Sequence, residues 1–229
     1  YQGVRGLQLE SIPATFLLIQ AHHHPGRWHL GYAPSKSFEI SGPGVDTAML
    51  WSTIAMTAML VFAIGWALYR LFAGGWTTRT TMAFFTVMVL LLIATNKVFS
   101  PQYIVWLGPL LAVVIRQRLP RGFASLKVLQ GLIAVCTIVA AGLGTLVYPF
   151  NYDYIWQYVG EKMFPVYVLA ARNILILVMV LINLIWLGLE VAFSKRLARA
   201  EGEQPDSPSA LPADTAAPAH AQPVAQDLG

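Results

Sequence analysis

The sequence predicts an all-α, polytopic transmembrane helix bundle. The 229 residues are 56% hydrophobic and only 11% charged, with a mean hydropathy of +0.58. A soluble domain carries about 25% charged residues. Five apolar stretches reach or approach the roughly 20 residues that cross a bilayer. Three basic clusters fall in every second turn between those stretches, on one side if each stretch crosses once. Residues 1–45 form a segment outside the bundle, 46–199 the bundle itself, and 200–229 a tail.

Leu7–Ala21 is apolar but carries Gln8, Glu10, Ser11 and Pro13. At about 15 residues it is short for a span, so it is expected to be an interfacial or re-entrant helix. His22–Val45 is rich in Gly and Pro and reads as a loop. The expected spans are Asp46–Phe72, Thr80–Thr95, Val98–Ile115 with Pro109 inside it, Leu126–Tyr148 and Val166–Phe193. Gly131, Ala134, Ala140, Ala141, Gly142 and Gly144 let neighbouring helices approach the fourth span closely. Pro149–Pro165 is rich in aromatics, which suits an interfacial belt or a platform for sugar rings or lipid.

Charge gives the orientation. Arg70 and Arg79 flank the first turn. Arg116, Arg118, Arg121 and Lys127 fill the turn after the third span, and Lys195, Arg196 and Arg199 follow the last. All fall on one side if every stretch crosses once, and the positive-inside rule makes that side cytoplasmic. The tail from Ala200 holds five acids and no Lys or Arg, with almost no large apolar residue, and is expected to be disordered and cytoplasmic. A basic body suits anionic lipid head groups. The bases form no patch with interleaved aromatics, which argues against nucleic acid. Cys136 is alone, so no disulfide forms within the chain. The chain opens at Tyr1 without a signal region, and is expected to be the C-terminal piece of a longer polypeptide.

Asn96-Lys97-Val98-Phe99-Ser100-Pro101-Gln102-Tyr103 is the most informative stretch. A lysine at the boundary of two apolar runs needs an anionic partner or water. Pro101 breaks the helix, and Ser100, Gln102 and Tyr103 place hydrogen-bonding groups beside the break. A cation and several donors next to lipid suit the phosphate of a lipid-linked ligand. The plainer reading is a snorkelling lysine with a capping asparagine. Arg5, Gln8, Glu10 and Ser11 form a second group. At helical spacing Ser11 lies beside Gln8, one turn from Arg5, although an ordinary amphipathic helix start looks the same. His22, His23, His24 and His29 are poorly spaced for a metal, because three consecutive histidines cannot easily face one ion. A single histidine, such as His24, contacting a phosphate or sugar hydroxyl fits better. Arg172 lies near the external end of the last span, where it reaches head groups or pairs with Glu161. Asn183 is deeper and bonds another helix. Asp153 and Glu161 are external carboxylates that no spacing singles out as a base. No phosphate-binding loop, nucleophile elbow, dinucleotide fingerprint or kinase signature is present.

Arg5-Gly6-Leu7-Gln8-Leu9-Glu10-Ser11, followed by Thr95-Asn96-Lys97-Val98-Phe99-Ser100-Pro101-Gln102-Tyr103-Ile104-Val105-Trp106-Leu107, resembles the C-terminal half of family 87 of the glycosyltransferases, which are polytopic GT-C-fold enzymes. The resemblance covers about residues 1–195. It implies transfer of a sugar, mannose by default, from a polyprenyl-phosphate-linked donor to an envelope glycolipid or glycan acceptor. The reaction is implied to be inverting, on the outer face of a bacterial cytoplasmic membrane, with no cofactor. It implies donor-phosphate contacts for Lys97 and Arg5, sugar-binding or orienting roles for Asn96, Gln102, Gln8, Glu10, Ser11 and His24, and lining of the prenyl chain by Tyr103 and Trp106. The usual base of such enzymes is an aspartate in the first external loop, expected upstream of Tyr1, so the chain is expected to be inactive alone. The rival expectation is a lipid or polysaccharide transporter component, which would place charges deep in the helices and repeat its halves.

Overall fold

A computed structural model describes residues 5–202, except positions 118 and 121. Residues 200–202 of the disordered tail expected over 200–229 are helical, and the rest of it, with two of the basic turn residues, Arg118 and Arg121, lies outside the described residues. The chain runs β1 (Leu7–Gln8), α1 (Thr15–His23), β2 (His29–Tyr32), β3 (Phe38–Ser41), α2 (Val45–Ala73), α3 (Thr78–Thr95), a 3-10 helix (Pro101–Trp106), α4 (Leu107–Arg116), α5 (Ala124–Val147), α6 (Asp153–Trp156) and α7 (Phe164–Gly202).

Four helices, α2, α3, α5 and α7, are long and apolar enough to cross a membrane, which makes this a multi-pass bundle. The third expected span is a 3-10 helix running into a ten-residue α-helix. Six residues rising about 2.0 Å each and ten rising about 1.5 Å give roughly 27 Å, close to the ~30 Å of a hydrocarbon core. The segment stays shorter in residue count than the four membrane-length helices. Pro109 sits in the first turn of α4, where its missing N–H costs no helical hydrogen bond. The α2–α3 turn is set by Gly74 and Gly75, both left-handed, and by a reciprocal Thr77–Thr80 capping box that opens α3.

α7 is the central element and packs against both α3 and α5. Val87, Leu90, Ile93, Ile133, Ala140, Met179 and Trp186 fill the main core. Thr77, Gln117 and Ser194 line one cavity, so the basic turns and the end of α7 gather at one end of the bundle. Residues 5–44, the 96–100 turn and the α5–α7 connection occupy the other.

That other end departs from expectation. Leu7–Ala21 is not one helix, because the helix begins at Thr15 and Leu7–Gln8 is a strand. His22–Val45 is not a plain loop either. It contains the β2–β3 hairpin, in an antiparallel sheet of order β1-β3-β2. The registers Leu7↔Ile40 and Leu30↔Ile40 align three apolar side chains across the sheet. That row packs with Leu18, Val147, Ile155 and Leu169 into a second core. The hairpin turn is Pro34-Ser35-Lys36, closed by Ala33 N–H to Ser37 O at 2.9 Å and Lys36 N–H to Ala33 O at 2.9 Å. Pro34 fits the first corner of a type I turn, and Lys36 closes it in the left-handed region at φ 59°. For a side chain with a Cβ that conformation costs about 1–2 kcal/mol.

One buried ion pair fastens the sheet end to the bundle. Arg172, fully buried in α7, donates from Nη1 to Glu10 Oε2 at 2.7 Å and from Nη2 to the Glu10 carbonyl at 2.9 Å. Asn173 Oδ1 accepts from Arg172 Nε and Nη2, each at 3.1 Å. Asn173 Nδ2 donates to Thr15 Oγ1 at 2.7 Å. The Phe99 ring lies 4.5 Å from the guanidinium. Arg172 thus reaches neither solvent-side head groups nor Glu161, because its position on α7 faces inward. Arg172→Met leaves the Glu10 carboxylate buried without its cation and is expected to lower stability by about 3–5 kcal/mol. Adding Glu10→Leu should recover most of that loss. Thermal unfolding of the two single variants and the double variant in nanodiscs measures the coupling.

Candidate functional site

A cleft of about 360 Å³ opens at the sheet end, between the hairpin, β1, the 3-10 helix and the chain after α5. Three consequences of local sequence build it. Pro101 starts the 3-10 helix at its first position and turns Gln102 and Tyr103 toward the opening. β1 adds to the sheet and brings Arg5, Gln8 and Glu10 to one wall. The hairpin supplies Tyr32 and Lys36, and the α5–α6 connection supplies Tyr148 and Tyr152.

Five of the expected site residues meet here: Arg5, Gln8, Glu10, Gln102 and Tyr103. They meet through a strand and a turn, so the helical spacing that grouped Arg5, Gln8, Glu10 and Ser11 does not apply. The remaining residues support the cleft from behind or lie elsewhere. Lys97 Nζ donates to the Arg5 carbonyl at 2.7 Å and does not line the cleft. Asn96 Oδ1 accepts from Val98 N–H at 2.9 Å just past the end of α3. Ser11 is fully buried and donates to the Gln8 carbonyl at 2.8 Å. Trp106 stacks on Tyr103 at 4.5 Å and stays half exposed beside it. His24 is exposed at the end of α1, away from the cleft.

The two motifs are stitched to each other by main-chain geometry. Gln8 N–H donates to the Lys97 carbonyl at 3.1 Å, and Gln8 Oε1 accepts from Phe99 N–H at 2.8 Å. Asn96–Tyr103 and Arg5–Ser11, about 90 residues apart in sequence, are therefore one structural unit. Burial pushes the Glu10 carboxyl upward, and the Arg172 guanidinium beside it pulls it back. Burial also pushes the Tyr152 phenol up, so it is a neutral hydrogen-bonding group. Glu10 is the one carboxylate among the described lining residues, and it is engaged by Arg172. The lining thus offers cations, amides and hydroxyls, a set that grips an anionic, hydroxyl-rich ligand and has no unengaged carboxylate to act as a base.

Sequence reasoning missed Tyr32 and Lys36. The alternation of His29-Leu30-Gly31-Tyr32 and Phe38-Glu39-Ile40-Ser41 around Pro34 was the signal for them. The aromatic loop divides its work: Tyr148 and Tyr152 line the cleft, while Trp156 packs on Phe38 at 4.7 Å. Comparison with known proteins finds no matching family model, no similar curated protein and no similar solved structure.

The three consecutive histidines diverge. His23 and His24 are exposed, and His22 is buried. Its Nδ1 accepts from Gly160 N–H at 3.1 Å, so Nε2 carries the proton and donates to the Ile155 carbonyl at 3.0 Å. Burial lowers its pKa below the ordinary 6.5. The unfolded chain takes up this proton first as pH falls. The stabilisation is therefore full above about pH 6.5 and is lost as pH drops through the lower folded value. His22→Gln keeps a donor and an acceptor without titrating. Unfolding midpoints between about pH 8 and pH 5 should fall more steeply for the wild type than for His22→Gln. Parallel curves would mean that His22 does not contribute.

Proposed function

We propose that this chain is the donor-binding part of an integral membrane glycosyltransferase of the GT-C type. The enzyme moves a sugar, mannose by default, from a polyprenyl-phosphate-linked donor to a glycolipid or glycan acceptor at the outer face of the membrane. The observation that carries the reading is the cleft itself. Arg5, Gln8, Gln102 and Tyr103, taken from two distant motifs, line one opening at the membrane-boundary end of an apolar bundle. The half-exposed Trp106 stacked on Tyr103 offers an apolar path from that opening toward lipid.

In such a transfer the acceptor hydroxyl oxygen bonds to the anomeric carbon as the bond to the phosphate oxygen breaks. The phosphate leaves with the electron pair, and a base takes the hydroxyl proton. Negative charge grows on the departing phosphate, so a guanidinium and amide donors placed there stabilise the transition state more than the ground state. Arg5 is the phosphate contact, with Gln8 and Gln102 holding sugar hydroxyls. Lys97 is a positioning residue: its bond to the Arg5 carbonyl fixes the strand that carries Arg5. The base is expected outside the cleft, since Glu10 is committed to Arg172.

The test is transfer from radiolabelled polyprenyl-phosphate-mannose in membranes expressing the complete reading frame that contains this chain. Arg5→Ala and Gln102→Ala should each lower product formation, by up to roughly 10²-fold for Arg5. Trp76→Ala, at the opposite end of the bundle, should leave it unchanged. Wild-type transfer that survives Arg5→Ala would remove the phosphate role. Absence of product from any of several sugar donors, with correct insertion, would favour the transporter reading.

A further inference from the structure

We infer that Lys36 is a second phosphate-binding cation of the cleft, presented by a hairpin turn whose geometry a glycine would satisfy more easily. The inference rests on the phosphate reading of the cleft and extends it to a residue on a different element. Lys36 is the one non-glycine residue with positive φ among the described residues. It occupies the left-handed position of a three-residue hairpin loop, where glycine is the usual choice because it has no Cβ to crowd the backbone. Strained conformations of this kind concentrate at ligand clamps. Lys36 and Arg5, carried on the hairpin turn and on the segment before β1, both line the cleft.

The surrounding contacts leave this ammonium for a ligand. The nearest acid in sequence is Glu39, three residues on, and neutral donors satisfy it. Ser35 and Ser37 hydroxyls donate to Oε1, and Gly6 N–H donates to Oε2 at 3.0 Å. Lys36 makes no ion pair or side-chain hydrogen bond within the described residues. Glu39 therefore acts as a spacer. It binds the hairpin that holds Lys36 and the residue next to Arg5, and so fixes the two cationic walls relative to each other. A Cβ at Gly6 would displace the Glu39 carboxylate from this position. Two cations held apart on rigid backbone suit a phosphate with several oxygens more than a single charge would.

The experiment measures binding to the 229-residue chain in nanodiscs, with farnesyl phosphate, farnesol and inorganic phosphate as probes. The wild type should bind farnesyl phosphate and not farnesol. Lys36→Gly relieves the backbone strain, so its unfolding midpoint should equal or exceed that of the wild type. Its farnesyl phosphate affinity should fall roughly tenfold, the worth of one charge-assisted hydrogen bond. Lys36→Arg should keep the affinity. Inorganic phosphate that displaces farnesyl phosphate at similar concentration would assign the site to free phosphate. Affinity of Lys36→Gly within about twofold of a binding wild type would overturn the role of Lys36 while leaving the cleft's phosphate reading intact. A wild type that binds neither phosphate would overturn both.

Discussion

The buried Glu10–Arg172 pair is the constraint on which the sheet end depends. Arg172 sits in an apolar helix and is fully buried, where an unpaired guanidinium would be costly. Its hydrogen bonds to the Glu10 side chain and carbonyl, with Asn173 bonding both Arg172 and the Glu10 carbonyl, tie a non-helical segment to the bundle. The fixed segment carries Arg5 and Gln8, which then dock on Lys97 and Phe99. Phe99 lies under the same guanidinium. A single charged side chain on α7 thus organises both halves of the cleft. Its desolvation cost is offset only because the full set of partners is present.

The cleft sits where the apolar helical bundle meets the sheet. Apolar helices below it demand that backbone groups pair internally, while the sheet above it pairs its own through strands. Irregular backbone at the boundary survives because side chains take up the loose groups. Asn96 satisfies Val98 N–H, Gln8 satisfies Phe99 N–H, and Lys97 satisfies the Arg5 carbonyl. Several polar residues that look like ligand contacts in the sequence are therefore spent on structure. The opening itself is lined by Arg5, Gln8, Lys36, Gln102 and the tyrosines, among others. Lining and support of the cleft are divided between neighbours in the same motif.

Much of the bundle was legible beforehand, since the period and length of apolar runs answer directly to the bilayer. α2, α3, α5 and α7 lie within a few residues of the expected spans, except that α7 continues through Gly202. The third apolar stretch, expected as a fifth crossing, is a shorter helix whose change from 3-10 to α geometry depends on how Pro101 and the turn before it pack. The sheet was harder. β1 has two residues and β2 and β3 four each, too short for alternation to outweigh the Gly and Pro of the loops around them. The candidate site was half legible. Its two motifs stood out as polar groups beside apolar runs, but helical spacing grouped the first wrongly, and His24 and Lys97 proved to lie outside the opening.

Composition, apolar run length and the placement of basic turns determined by themselves that this chain is a multi-pass helical membrane protein with basic clusters in every second turn. Those properties are set by transfer between water and lipid, which each segment obeys independently of the others. Only the tertiary structure decided that Arg172 pairs with Glu10, that Arg5 and Gln102 share a cleft, and that Lys36 faces it from a hairpin. Each joins residues remote in sequence, and a charge in an apolar setting takes whichever partner the packed helices bring within hydrogen-bond reach.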